Sequence, residues 1–165
     1  MERSLMSKRG GFDSGPLSWV KGEIDSAFSR GGESLRAFAK ALGAGSVDMA
    51  ALKSAKAHLH QAHGALQIVG IGGIVRITTE IEALLSGMEN DPAKATAAGV
   101  QAALAALDDT ARYLNDLSAG ALNQTLKLLP TLSRLSEARG AGKADPVELY
   151  FPEMNARPPA RAKAG

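Results

Sequence analysis

Apolar residues in this chain recur at spacings of three and four over its central stretch and never in strict alternation. This is the period of amphipathic helices, and no segment carries the β-branched alternation of a strand. Leu17, Val20, Ile24, Ala27, Phe28, Leu35, Phe38 and Leu42 form the first stripe. Gly31-Gly32 interrupts it, which predicts one long kinked helix or two in line. A second stripe opens at Asp48 with Leu52, Ala55, Leu59, Ala62, Leu66 and Val69, and the glycines at 70, 72 and 73 then make a turn. The third holds Ile74, Ile77, Ile81, Leu84, Leu85 and Met88. Asn90-Asp91-Pro92 reads as a stop and a start, with Asp91 as N-cap and Pro92 at the first helical position. Val100, Leu104, Leu107, Ala111 and Leu114 make the fourth stripe, closed by Ser118-Ala119-Gly120. The fifth runs through Leu122, Leu126, Leu129, Leu132 and Leu135, with Pro130 expected to kink it. Short connections make consecutive helices antiparallel neighbours. The expected fold is all-α: an up-and-down antiparallel bundle of about five helices around a four-helix core.

The period fails at both ends. Residues 1–16 are expected to be a disordered tail ending at the breaker pair Gly15-Pro16. The bundle is expected over 17–139. Residues 140–155, with Leu149, Tyr150 and Phe151, read as an extended strap packing on it. Prolines 158 and 159 open a disordered tail or linker over 156–165. That ending resembles the start of a linker from a first module to the rest of a longer protein.

Composition narrows the function classes. The chain has 165 residues, 45% of them hydrophobic, enough for one domain with a real core. Lys and Arg number 19 against 17 Asp and Glu, a net charge of +2 with no basic stripe, so nucleic-acid binding has no support. The absence of cysteine removes disulfides, thiolate zinc sites and a cysteine nucleophile. There is no run long enough to span a bilayer and no signal-peptide core, so no membrane insertion is expected and the expected location is cytoplasmic.

Candidate chemistry lies on the second helix. The chain's three histidines, His58, His60 and His63, fall within six residues of it. At 100° per residue, His60 lies about 130° from the centre of the apolar stripe, facing solvent, while His58 and His63 lie about 70° to either side. Lys53, Lys56, His63, Gly64 and Gln67 surround His60 at helical neighbour spacing. Gly64 in a helix interior costs roughly 1 kcal/mol relative to Ala. It clears space one turn from His60 for a partner's surface. Lysines without a carboxylate among them suit an incoming phosphoryl group better than a general base oriented by Asp or Glu.

The segment HQAHGALQIVG, with His60, Gly64 and Gly70 in register, resembles the signature of histidine phosphotransfer (Hpt) domains. His63 stands where that signature has lysine. LSWVKGEIDSAF, HLHQAHGALQIVGIGGI, LLPTLSRLSEARG and ELYFPEM, in order over about residues 17–155, resemble the N-terminal Hpt-like region of the chemotaxis-type (CheA-like) hybrid histidine kinases of type IV pilus systems. The resemblance implies a phosphorelay carrier and not an enzyme. His60 would be the phosphoacceptor, exchanging with an aspartate of a response-regulator receiver domain. Lys53, Lys56, His63, Gly64 and Gln67 would form the phosphate and docking face. No cofactor is implied, the receiver supplying its own Mg²⁺. A histidine kinase core is the other implied partner, with the cell pole as the place of action. A parent chain of which this were a fragment would be a histidine kinase. No P-loop, ATP lid or DFG-like motif occurs here.

Other readings stand beside this one. The bundle could be a scaffold that keeps the docking face and has lost phosphotransfer, and His63 in place of lysine is its main argument. His60 could be a plain solvated histidine, with His58 and His63 flank residues packing on neighbouring helices. A metal site is disfavoured, because His58 and His60 point about 200° apart and His60 with His63 supplies only two ligands. Asp108-Asp109 reads as a solvated face, Lys94, Arg112 and Arg134 as lone surface charges, and Gly70–Gly73 as a turn without the strand context of a phosphate loop.

Overall fold

The computed structural model describes residues 15–149; Tyr150, Phe151 and the expected tails lie outside that range except for Gly15-Pro16, which opens the first helix and does not end a tail. Five α-helices, and no strand among the described residues, form the bundle: α1 (Gly15–Gly43), α2 (Met49–Val69), α3 (Gly72–Asn90), α4 (Ala97–Ser118) and α5 (Leu129–Ala138). Helices α1 to α4 close a ring in which each packs on the next and α4 returns to α1, while α5 lies against α3 and α4. This is the all-α, up-and-down bundle with a four-helix core that the periodicity predicts. None of the described helices is long and apolar enough to cross a membrane.

The ring is held by the stripes. Leu17, Ile24, Leu35 and Phe38 of α1 are fully buried with Leu52, Leu59 and Leu66 of α2 and Ile74, Ile77, Ile81 and Leu85 of α3. Each such side chain contributes roughly 1.5–3 kcal/mol of apolar transfer. Helix α1 is continuous through Gly31-Gly32, and both glycines are buried. A methyl at Gly31 would stand 3.1 Å from Leu59 Cδ2, so this glycine is where α1 and α2 approach closely rather than a break. Asp48 caps α2 by accepting from the Ala51 N–H, and Gly70, at φ 85°, ends it in the left-handed conformation. Only Gly70 and Ile71 separate α2 from α3, so the two make a tight antiparallel hairpin.

Further details differ from the sequence expectation. Asp91 and Pro92 open a 3₁₀ turn, Pro92–Lys94, and the cap of α4 is Thr96, whose hydroxyl accepts from the Gly99 N–H. The fifth helix is shorter than its leucine spacing suggests. Leu122 and Leu126 are exposed, a 3₁₀ turn occupies Thr125–Leu128, and Pro130 sits in the first turn of α5, where its missing N–H does no harm. Beyond α5 the described part of the expected strap, residues 140–149, ends in a 3₁₀ turn, Pro146–Leu149, and the rest of it lies outside the described residues. Leu149 is buried and its carbonyl accepts from the Thr125 hydroxyl at 2.6 Å.

Charged groups clamp this C-terminal part. Glu80 of α3, only 2% exposed, accepts from Arg76 at 2.9 Å and from Arg139, and Arg76 also reaches Glu148 at 2.6 Å. Burial lowers the Arg76 pKa, but its bonds to Glu80 and Glu148 outweigh that, and the net shift is upward. Asp109 is not a merely solvated carboxylate: it accepts from Thr131, Arg134 and Arg112, tying α4 to α5. Arg112 and Arg134 are therefore not lone charges.

Candidate functional site

The tight α2–α3 hairpin decides what surrounds the histidines. Pairing across it brings Lys56 to Glu89, His60 to Glu82 and His63 to Thr78. His60 projects to solvent, its side chain 76% exposed, and its Nδ1 lies 3.3 Å from Glu82 Oε1. A carboxylate only accepts, so this geometry makes Nδ1 the protonated nitrogen and leaves the Nε2 lone pair free. The Glu82 side chain is mostly covered, and its Oε2 is buried without a hydrogen-bond partner among the described residues.

The two flanking histidines fall on opposite sides of α2. His58 is half-buried on the α1 side, its Cβ 3.6 Å from where a methyl on Gly31 would sit. His63 is half-buried on the α3 side, and its Nδ1 lies 2.7 Å from the Thr78 hydroxyl. That hydroxyl itself donates to the Val75 carbonyl, so His63 Nδ1–H donates to Thr78. The rings of His60 and His63 stack, 6.2 Å apart at 19°. Gly64 lies one turn beyond His60, and a methyl placed on it would meet nothing within 4 Å. Lys53 and Gln67 are exposed, one on each side of His60 along the helix.

The expectation of lysines without a carboxylate is corrected. It followed from a single helix considered alone, whereas both carboxylates come from α3. Lys56 Nζ lies 2.5 Å from Glu89 Oε1. That bond, with Lys53 adding attraction, holds the Glu89 carboxyl below the usual range. Lys53 and Lys56 against Glu82 and Glu89 leave the face around His60 formally neutral. No group of three or more His, Asp or Glu among the described residues is arranged to hold a metal ion.

Two apolar side chains that sequence reasoning passed over are exposed toward the Gly70 end of α1 and α2. Ile68, 83% exposed, lies two turns beyond His60 on α2, and Trp19, 89% exposed, lies on α1. Gln61 of α2 donates to Glu23 of α1 at 3.4 Å, and Trp19 is one turn from Glu23 toward the same end of the bundle as Ile68. Their exposure on otherwise polar helix faces was the available signal: Trp19 and Ile68 both stand outside the buried stripes.

The fold and this histidine face define an all-α bundle with one solvated, carboxylate-held imidazole. Comparison of the chain with family models, with curated proteins and with solved structures finds no match.

Proposed function

We propose that this protein is a phosphorelay carrier that accepts and passes on a phosphoryl group at His60. The observation that carries the reading is the state of that imidazole: its side chain is exposed, its Nδ1 is in contact with Glu82, and Gly64 one turn on presents no side chain. In the transfer step Nε2 attacks the phosphorus of an aspartyl phosphate on a receiver domain. The N–P bond forms as the O–P bond breaks, and the aspartate leaves with the electron pair as a free carboxylate. The ring keeps its Nδ1 proton and becomes a phosphoimidazolium, whose positive charge faces Glu82. Glu82 thus orients the nucleophile and stabilises the charge that develops on it. A Mg²⁺ ion, if carried by the receiver, would supply charge for the phosphoryl oxygens. Under the hybrid-kinase resemblance a kinase core would act upstream, and the module would work in the cytoplasm, at the cell pole.

The test is phosphoryl uptake. The protein is incubated with a kinase core and ATP, or with a phosphorylated receiver, and acid-labile label is measured. Label on His60 that disappears in His60→Gln, with the melting temperature unchanged, is the expected result. Label persisting on His58 or His63 in that variant refutes the assignment. Docking of receiver or kinase without label would mean the scaffold reading. The binding of Lys56 by Glu89 favours that second reading, since it leaves less free positive charge beside His60 than the phosphotransfer signature provides.

A further inference from the structure

We propose that Trp19 and Ile68 are the anchor on which the receiver domain docks, so that the interface is displaced from His60 toward the Gly70 end of the α1–α2 pair. This rests on the carrier reading above and adds to it where, and by which side chains, the partner binds.

A nucleophile on a convex helix face cannot enclose its donor, so the donor must sit over it. An ordinary protein interface covers roughly 800 Å² per partner, a disc of about 16 Å radius. Ile68 is eight residues beyond His60, about 12 Å along the helix at 1.5 Å per residue. The Glu23–Gln61 contact fixes the register of α1 against α2, and Trp19, four residues before Glu23, stands roughly 8 Å beyond His60 along the bundle. One interaxial spacing of about 8–10 Å adds the sideways offset, so Trp19 is also about 12 Å away. Ile68 also lies about 80° round the helix from His60, toward α1, so a partner of ordinary size that covers His60 and extends over the α1–α2 pair reaches both.

Electrostatics does not supply a competing anchor. Lys56 is held by Glu89, and Lys53 and Lys56 are matched in number by Glu82 and Glu89, with Glu23 on Gln61 besides. An acidic phosphorylation site gains little from such a face, and desolvation of apolar surface is the attraction that remains. Trp19 and Ile68 are the two most exposed large hydrophobic side chains among the described residues. Between them and His60 lie Gly64, which offers no side chain, and the exposed Gln67. Tryptophan is also among the residues that dominate interfaces when buried at their centre. The partner this fits is a receiver whose phosphoaspartate is rimmed by apolar side chains.

Trp19 is the chain's single tryptophan, which makes it a reporter as well. The full chain is charged at His60 with phosphoramidate, a small donor that needs no docking. It is then mixed with each receiver domain of the source genome, expressed singly, and discharge is followed. With the receiver that accepts, Trp19→Ala and Ile68→Ser should each raise KM about tenfold or more. The rate at saturation should stay within twofold, and charging by phosphoramidate should not change. Both side chains are exposed, so the melting temperature should hold. Addition of that receiver, in a tryptophan-free form loaded with beryllofluoride, should shift Trp19 emission to the blue. Discharge with unaltered KM in both variants overturns the anchor and leaves the carrier reading intact. Failure of every receiver to discharge the wild-type protein overturns both. A wild-type dimer that Trp19→Ala converts to monomer assigns the patch to a second copy of this chain and also overturns the proposal.

Discussion

Replacing Gly64 with alanine should make the protein more stable and a poorer phosphoryl carrier. Gly64 lies within α2, five residues before its last residue, Val69, so it carries the full helix-interior penalty of about 0.8–1 kcal/mol relative to alanine. The added methyl meets nothing within 4 Å, so no clash subtracts from that gain and no burial adds to it. For a chain of this size the gain raises the melting temperature by about 2–4 °C. Gly73→Ala is the control with the opposite sign. Its methyl would stand 2.8 Å from Thr125 Cγ2 and 3.2 Å from Leu128 Cδ1. Thr125 is pinned by its bond to the Leu149 carbonyl and cannot swing aside, so overpacking should cost about 1–3 kcal/mol. Circular dichroism melts and urea titrations of the three proteins read this directly. The functional half follows from direction. A helical Cβ leans toward the N-terminus, so an alanine at 64 leans toward the turn that carries His60. Transfer to a receiver should slow several-fold, while charging by phosphoramidate, which needs little room, should not. A Gly64→Ala protein that is no more stable than its parent would show that the outer face of α2 is not open. One that is more stable and transfers at the parent rate would show that Gly64 is not there for clearance.

Glu82→Gln keeps an amide oxygen that can accept from Nδ1–H but removes the charge that faces a phosphoimidazolium. Label uptake at His60 should fall about tenfold, with little change in melting because Oε2 has no partner to lose, and unchanged initial rates would refute the electrostatic role. Glu80→Ala leaves Arg76 and Arg139 facing each other without their buried carboxylate. Since both arginines keep partial contact with water, the expected loss is about 2–3 kcal/mol by urea titration, below the 3–5 kcal/mol of a fully buried pair, and a loss under 1 kcal/mol would show the cluster to be dispensable. The Glu148 carboxyl is held below its usual value of 4.5, first by the Asp145 N–H and then by Arg76. A depressed folded pKa means stability that is full above about pH 4.5 and lost as pH falls through the folded value. The melting temperature of the parent should therefore drop more between pH 7 and pH 3 than that of Glu148→Gln, and parallel pH curves would contradict the link.

The helices were legible because glycine, proline and capping residues punctuate them where the apolar period stops. Asp48 before α2, Gly70 after it and the pair around Asp91 all mark real boundaries. The period misled at Leu122 and Leu126. Their spacing continues the leucine stripe, but Gly120 at φ 105° turns the chain there, and the Tyr113 hydroxyl donating to Asn123 holds the turn against α4. A leucine repeat records spacing along the chain and not whether a neighbouring helix is present to cover it. Gly31-Gly32 misled in the opposite sense, because a glycine that lets two helices touch looks the same in sequence as one that breaks a helix.

The histidine face shows where reading one helix at a time fails and what replaces it. A wheel placed His60 outward and His58 and His63 on opposite flanks, and the structure has them there. It could not supply Glu82 or Glu89, which belong to the next helix. Yet the hairpin arithmetic was available. A two-residue turn at Gly70-Ile71 makes residues of α2 and α3 pair so that their numbers sum to about 141. Lys56 with Glu89, His60 with Glu82 and His63 with Thr78 all lie within a few residues of that sum. One turn length, read with the two wheels together, converts an apparently cationic patch into a neutral one with a carboxylate on the imidazole. The consequence is chemical. A neutral face does not attract a phosphorylated partner from a distance, so encounter should be governed by fit at short range, and its rate should depend weakly on salt.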